Sequence, residues 1–186
     1  MAWATRAARE RPAELAALAD PEGREPDADP VEVAKKIVLQ QLSVSAKSRH
    51  QLAQVLSRRA VPSEAAEEAL DRYTELGYID DAVFARSWVE SRQRARGLAG
   101  SVLRRELREK GIDAEIIDAV LLECVDPDAE RASAAALVDK KLRSMRGVDA
   151  DTATRRLVGM LSRKGYSPGL AYSVVREALA GDPRRG

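Results

Sequence analysis

Pairs of leucines four residues apart recur three times along the chain, and each pair is followed by a basic, a small and an apolar residue. A second apolar stretch follows each pair at the same separation of 14 residues. Apolar side chains at i and i+4 are typical of the buried face of a helix. The pairs are Leu52/Leu56, Leu103/Leu107 and Leu157/Leu161, spaced by 51 and then 54 residues. A period of this size is typical of stacked helical units.

Helix start and stop signals divide the chain from residue 31 onward into nine predicted helices in three sets. Gly residues are expected to end several of them, and Asp or Ser residues, some followed by Pro, to begin them. The residues expected at helix starts are Asp29, Asp80, Asp113, Asp126 and Ser167. For the second helix, the predicted N-cap is Ser43 or Ser45. The predicted helices are Val31–Leu42, Ala46–Arg59, Ser63–Leu76, Asp81–Ala95, Ala99–Lys110, Ala114–Cys124, Ala129–Met145, Thr152–Lys164 and Pro168–Ala180.

The predicted fold is therefore all-α, with three tandem three-helix repeats over residues 31–79, 80–125 and 126–183. No run of β-branched residues alternates with period 2, so a sheet is not expected. Residues 1–29 are rich in proline and acidic side chains, which predicts a disordered, flexible N-terminal tail. Repeats of this kind usually present an extended face to a partner.

Composition narrows the classes of function. No apolar stretch is long enough to span a bilayer, and the N-terminus lacks a secretory h-region. Cys124 is the only cysteine and His50 the only histidine. A reducing cytoplasm fits the lone cysteine, and a closed zinc site or a His-centred triad elsewhere is excluded. Phosphate-binding glycine motifs are also missing, so we expect neither a cofactor nor an enzyme. Catalysis by a Ser/Lys pair or by carboxylates alone stays open, although no spacing indicates it.

Basic and acidic segments alternate with the repeats, although the formal net charge is only +1. Residues 86–110 carry eight basic and three acidic side chains, whereas residues 111–130 carry seven acids and no base. Residues 140–164 are again basic. The alternation predicts basic and acidic bands on one body, with ordinary solvated faces as the alternative. Asp80 and Asp81 form a carboxylate pair that fits helix capping better than metal binding.

Arginines of the basic segments are the candidate partner-binding residues. They are concentrated in the middle repeat. A weaker set in the first repeat contains Arg49, Arg58 and Arg59, and its counterpart in the third repeat contains Arg155, Arg156, Arg163 and Lys164. At the ends of the second helices, Arg59, Lys110 and Lys164 instead fit compensation of the helix dipole. The predicted binding residues are Arg92, Arg94, Arg96, Arg104, Arg105 and Arg108, together with Arg49, Arg155 and Arg156.

Aromatic residues are expected in the core rather than on a base-stacking platform. One predicted buried stripe contains Phe84, Ala85, Trp88 and Val89. Another, on the seventh helix, contains Ala135, Val138, Leu142 and Met145. Tyr73, Tyr78, Tyr166 and Tyr172 also occupy apolar-face or turn positions.

Three segments of this chain resemble the RecX family of bacterial recombinase regulators. The central segment reads Gly77-Tyr78-Ile79-Asp80-Asp81-x-x-Phe84-Ala85, followed by Arg92-x-x-x-Arg96-Gly97 and then Leu103-x-x-x-Leu107-x-x-Lys110-Gly111-Ile112. Ser48-Arg49-x-x-Leu52 resembles the signature of the first repeat, and the third repeat matches mainly by its period. The similarity covers roughly residues 31–179. Ala60 departs from it, since a glycine is typical there, and residues 1–29 have no evident counterpart.

The resemblance implies an elongated, curved body of three-helix units that binds along the groove of a RecA–single-stranded DNA filament. It further implies suppression of ATP hydrolysis, strand exchange and related activities, without turnover of a substrate. The expected partner is thus the RecA filament, and the expected state is a cytoplasmic monomer. The alternative is direct binding to single- or double-stranded DNA, because three-helix units resemble helix-turn-helix modules and arginines bind phosphates.

Overall fold

The computed structural model describes residues 29–145 and 147–181, and within these ranges it contains nine α-helices and no strand. The all-α prediction is therefore confirmed. The predicted tail lies outside the described residues, except for Asp29. The helices are α1 (Pro30–Val44), α2 (Arg49–Arg58), α3 (Ser63–Glu75), α4 (Asp81–Arg96), α5 (Gly100–Glu109), α6 (Ala114–Cys124), α7 (Pro127–Leu142), α8 (Ala150–Arg163) and α9 (Pro168–Ala180).

The leucine pairs lie at the centre of each three-helix set. They belong to α2, α5 and α8, and all six leucines have no solvent exposure. Buried small and branched residues of the flanking helices pack around them, such as Ala34 and Val38 of α1 or Val174 and Val175 of α9. Burying each leucine stabilises the fold by about 1.5–3 kcal/mol, so the repeated pair is the main sequence determinant of the repeated helices.

The chain divides into two compact units. The first contains the described residues up to Phe84 together with Lys110–Ile112, and the second contains 85–109 and the described residues from 113 onward. The core of the first unit is formed by α1, α2 and α3 with Ile79. A second core is formed by α7, α8 and α9 with Ala99.

Several helix boundaries follow the predicted caps. Asp29, Asp113, Asp126 and Ser167 accept a hydrogen bond from a backbone N–H of the first turn that follows them. Asp80 does the same for α4, since its Oδ1 lies 2.9 Å from the amide nitrogens of both Ala82 and Val83. These side chains satisfy amides that have no partner within the helix.

The predicted start of α2 is wrong. The helix begins at Arg49 instead of Ala46, and its N-cap is Ser48 rather than Ser43 or Ser45. Ser48 Oγ accepts from the Gln51 backbone N–H at 3.2 Å, and Gln51 Oε1 accepts from the Ser48 N–H at 3.2 Å. This reciprocal pair is a capping box.

Lys110 and Gly111 lie against the start of α2 within the first unit. Ser48 Oγ donates to the carbonyl oxygen of Lys110 at 2.6 Å, and Ser48 has no solvent exposure. The next residue, Gly111, has φ +74°, and a Cβ there would overlap Cβ and Cγ of His50. Glycine is thus required at position 111 both by its backbone conformation and by the close approach of His50.

A matching contact occurs in the second unit, where the end of α8 lies against the start of α5. Ser101 Oγ donates to the carbonyl oxygen of Gly165 at 2.6 Å, and the Ala99 N–H donates to the Lys164 carbonyl at 2.9 Å. A Cβ on Gly165 (φ +92°) would lie 2.7 Å from Cγ2 of Val102. Both contacts therefore use the same part of the repeat, and each includes a glycine, Gly111 or Gly165.

Ala60 occupies the corresponding position of the first repeat, 51 residues before Gly111. Its φ is +56°, so it adopts the left-handed conformation of the two glycines. Ala60 is exposed, and its side chain is therefore accommodated where Gly111 could not accept one. The departure from glycine costs backbone strain but no steric overlap.

Candidate partner-binding surfaces

Arg92 is held by two neighbours in the second unit. Its guanidinium carbon lies 4.0 Å from the centroid of the Trp88 ring, and its Nε donates to Glu106 Oε2 at 3.3 Å. Trp88 Nε1 donates to the same carboxylate oxygen at 2.8 Å. Arg92 is therefore oriented by a cation–π contact and an ion pair, with 27% of its side chain exposed.

Trp88 is only partly buried, unlike Phe84, Ala85 and Val89 of the same stripe. The prediction that Trp88 is a core residue is wrong in this respect. Its indole N–H points to Glu106 at the protein surface, so the ring lies between the core and the guanidinium of Arg92. Of the stripe predicted for the seventh helix, Val138, Leu142 and Met145 are buried as predicted. Ala135 is only partly buried, next to the fully buried Ala134.

Two arginines of α5 are paired with acidic side chains. Arg104 binds Asp118 of α6, and Arg105 Nε lies 3.8 Å from Glu109 Oε1 one turn further along α5. Exposed pairs of this kind contribute little to stability, about 0–1 kcal/mol. Their effect on recognition is larger, because a partner must compete with the internal carboxylate.

Arg94, Arg96 and Arg108 differ from these arginines. All three side chains are exposed, and none forms an ion pair with any residue in the described ranges. The backbone carbonyl of Arg96 accepts from the ammonium of Lys164. Lys164 is thus bound to the end of a neighbouring helix, in addition to lying at the end of α8, where compensation of the dipole was predicted.

Arg49 is engaged within the first unit. Its guanidinium donates to Glu67 at 2.6 Å and lies 2.8 Å from Asp71, both on α3. The Arg49 backbone N–H donates to Asp81 Oδ1 at 2.9 Å. Burial raises the pKa of the Asp81 carboxyl, whereas the Arg49 amide and charge act in the opposite direction. These contacts tie α2 to α3 and make Arg49 less available to a partner than the unpaired arginines of the middle repeat.

Arg155 and Arg156 are exposed on α8 beside a surface groove of about 620 Å³. Lys141 of α7 and Met160 and Arg163 of α8 also line this groove. Sequence reasoning placed Arg163 next to the arginine pair but missed Lys141 and Met160. The spacing of Arg156, Met160 and Arg163 at i, i+4 and i+7 is the signal that they share one face.

Aromatic residues do not form a stacking platform on the described surface. Tyr73, Tyr166 and Phe84 are buried. Tyr78 is 37% exposed, which departs from its predicted place in the core. Its ring meets that of Tyr73 edge to face, with ring centroids 5.8 Å apart. Tyr172 is 58% exposed, so its predicted place in the core is wrong.

Groups that could carry catalysis are few in the described ranges. No cluster of His, Cys, Asp and Glu there could hold a metal ion. Burial, followed by the charges of Glu123 and Glu90, raises the pKa of the Cys124 thiol. A raised pKa disfavours the reactive thiolate. Within the described helices, none is both long and apolar enough to span a bilayer.

Three models of protein-family domains match this chain. The models described as the first, second and third three-helix domains of RecX match residues 34–72, 80–121 and 128–175. The chain belongs to the RecX family. Its three tandem three-helix repeats, predicted from the leucine period, are thereby confirmed.

Curated RecX relatives cover most of the chain. "Regulatory protein RecX" of Streptomyces coelicolor is 52% identical over 155 residues, which is 83% of this chain and 82% of the relative. The RecX protein of Thermobifida fusca is 45% identical, over 78% of this chain and 78% of the relative. The RecX protein of Mycolicibacterium smegmatis is 43% identical, over 89% of this chain and 87% of the relative. These relatives are named as regulatory proteins, and the resemblance of the central segment to the RecX family is confirmed.

Two crystal structures share the fold. RecX from Lactobacillus salivarius superposes with a TM-score of 0.73 at 19% identity, covering 80% of this chain and 96% of the other. A second structure, titled as regulatory protein RecX, gives 0.71 at 24% identity, covering 80% and 72%. At these identities the likeness concerns the fold.

Proposed function

We propose that this RecX-family chain is a non-catalytic regulator that binds the RecA–single-stranded DNA filament and inhibits ATP hydrolysis and strand exchange. The observation that carries the proposal is 52% identity to a protein named as a RecX regulator, over 83% of the chain. In this proposal the chain acts as a monomer in the cytoplasm, in recombination and DNA repair, without a cofactor.

Arg94, Arg96 and Arg108 are the proposed filament contacts of the middle repeat. Their support is their exposure and the absence of internal ion pairs among the described residues. In the same proposal Arg92, Arg104 and Arg105 contribute less, because acidic neighbours already hold them. Arg155 and Arg156 belong to a separate surface on the third repeat. Arg49 serves mainly to join α2 and α3.

Direct binding to DNA is the second candidate function. The unpaired, exposed arginines support it, since guanidinium groups are good phosphate ligands. Against it stand a net charge of only +1 and the lack of an exposed aromatic platform among the described residues, on which single-stranded bases usually stack.

The test is RecA ATP hydrolysis that depends on single-stranded DNA. We expect the wild-type chain to slow it at substoichiometric amounts, and an Arg94→Ala, Arg96→Ala, Arg108→Ala triple variant to need about tenfold more protein, as for about 1.4 kcal/mol of lost binding. Surface changes of this kind leave stability almost unchanged. The matched control removes three exposed cations elsewhere, through Lys36→Ala, Arg72→Ala and Arg176→Ala. No inhibition by the wild-type chain would overturn the proposed function, and equal losses in both variants would overturn the choice of residues.

A further inference from the structure

Four cations surround one apolar side chain on the third repeat. Lys141 lies at the end of α7, and α8 contributes Arg155, Arg156 and Arg163, with Met160 between them. The four basic side chains are exposed, and none is ion-paired with a residue in the described part of the chain. Arg155 donates only to the hydroxyl of Thr152, at 3.3 Å. We call these five side chains the basic groove.

The unpaired cations of the basic groove differ from Arg131, which lies near the start of α7 and is paired with an acid. Arg131 lies 2.6 Å from Glu177, and this hydrogen bond lowers the pKa of the Glu177 carboxyl. Asp149, the acid at the start of α8, is engaged as the N-cap and accepts from the Thr152 N–H at 2.8 Å. The charge of Arg155 also acts on the Asp149 carboxyl, whose pKa is lowered first by its hydrogen bonds from Thr152. No carboxylate in the described ranges forms an ion pair with the four cations. Like charges gathered in this way attract an anionic partner and raise its association rate.

Met160 favours an anionic partner that also carries an apolar side chain. It is partly exposed at the floor of the basic groove and offers an adaptable apolar contact. A nucleic-acid strand would instead use aromatic rings for its bases, and no aromatic side chain lines this groove. An acidic peptide with one apolar side chain satisfies both features, because its carboxylates meet the cations and its apolar side chain meets Met160.

The dimensions agree with a short peptide. Arg156 and Arg163 are seven residues apart on α8, which corresponds to about 10 Å along the helix axis. An extended peptide covers that distance with roughly three residues. One apolar residue flanked by acidic residues on both sides therefore spans the basic groove.

We propose that the basic groove of the third repeat binds an acidic peptide segment that carries one apolar side chain. The segment would belong to the protein partner, so this inference rests on the proposed function for the origin of the peptide but not for its chemistry. Arg155 and Arg156 are then protein contacts rather than phosphate contacts. Met160 is the specificity-determining residue.

Binding of a fluorescent peptide, Glu-Asp-Glu-Leu-Glu-Asp-Glu, to the full chain tests the proposal by fluorescence anisotropy at low salt. We expect Arg156→Glu with Arg163→Glu to weaken binding at least about tenfold, in line with the loss of two attractive charge pairs. Met160→Gln should weaken it about threefold, and replacing the peptide leucine with serine should have the same effect. Arg58→Glu with Arg59→Glu, an equal charge change on α2 and its C-cap, should leave binding within about twofold.

An oligothymidylate with the same number of negative charges separates the two classes of polyanion. The proposal is overturned if the oligothymidylate binds more tightly than the peptide, or if the groove variant binds the peptide like wild type. Unchanged binding after both the Met160 and the leucine replacements would also overturn it, since charge alone would then explain the affinity. Failure of the wild-type chain to inhibit RecA would leave these peptide results unaffected, so the two proposals fail separately.

Discussion

Gly111→Ala should lower the free energy of unfolding by about 2–5 kcal/mol. The left-handed conformation of Gly111 costs an alanine about 1–2 kcal/mol, and overlap of the new methyl group with His50 adds about 1–3 kcal/mol. The overlap involves Cβ of His50, so rotation of the imidazole does not relieve it. The measurement is urea denaturation followed by helical circular dichroism.

Two matched variants separate the cost of the left-handed backbone from the cost of the overlap with His50. Gly77 has φ +71°, but no atom lies within 4 Å of the place that an alanine methyl group would take, so Gly77→Ala should cost only about 1–2 kcal/mol. Ala60→Gly relieves strain but increases the freedom of the unfolded chain, and the two effects nearly cancel, to within about 1 kcal/mol. Equal losses for Gly111→Ala and Gly77→Ala would contradict the close approach of His50 to Gly111.

Ser48→Ala should cost about 2–3 kcal/mol, the second-largest effect. Loss of the N-cap of α2 accounts for about 1–2 kcal/mol. Loss of the hydrogen bond to the Lys110 carbonyl, in a fully buried position, adds about 1 kcal/mol. The same urea denaturation measures it, and the change should appear as a lower midpoint with an unchanged slope.

Ser45→Ala is the control for Ser48→Ala. Sequence reasoning offered Ser45 as a cap of α2, but it follows α1 with an extended backbone and an exposed side chain. Its replacement should change stability by less than about 0.5 kcal/mol. If Ser45→Ala were the more damaging variant, α2 would begin where the sequence pattern first placed it.

The helices and their apolar faces could be predicted because both depend on local spacing. The leucine pairs and the caps Asp29, Asp113 and Asp126 follow from residues a few positions apart. Ser48 was missed although Ser48-x-x-Gln51 is a capping-box pattern, since several serines precede α2 and only one of them meets the Lys110 carbonyl. That contact joins residues 62 positions apart and leaves no local signal.

The candidate binding residues could be predicted only in part, for the same reason. Their positive charge is evident in the sequence, but their availability depends on carboxylates brought near by the fold. Arg49 meets Glu67 from 18 residues away, and Arg104 meets Asp118 from 14. Charge alone therefore predicts the same role for Arg49 and Arg155. In the structure, Arg49 is paired with an acid of its own unit, whereas Arg155 borders a surface groove.

Salt dependence provides the most direct test of the central proposal, that the partner is chiefly filament protein. RecA inhibition and binding to bare single-stranded DNA would be measured with one preparation over the same range of salt concentrations. Binding through phosphates falls with a log–log slope of about −0.7 per contact, or roughly −2 for the three proposed arginines. We predict that inhibition persists at salt concentrations where binding to the bare strand has disappeared. Inhibition and bare-strand binding that collapse together would contradict the account.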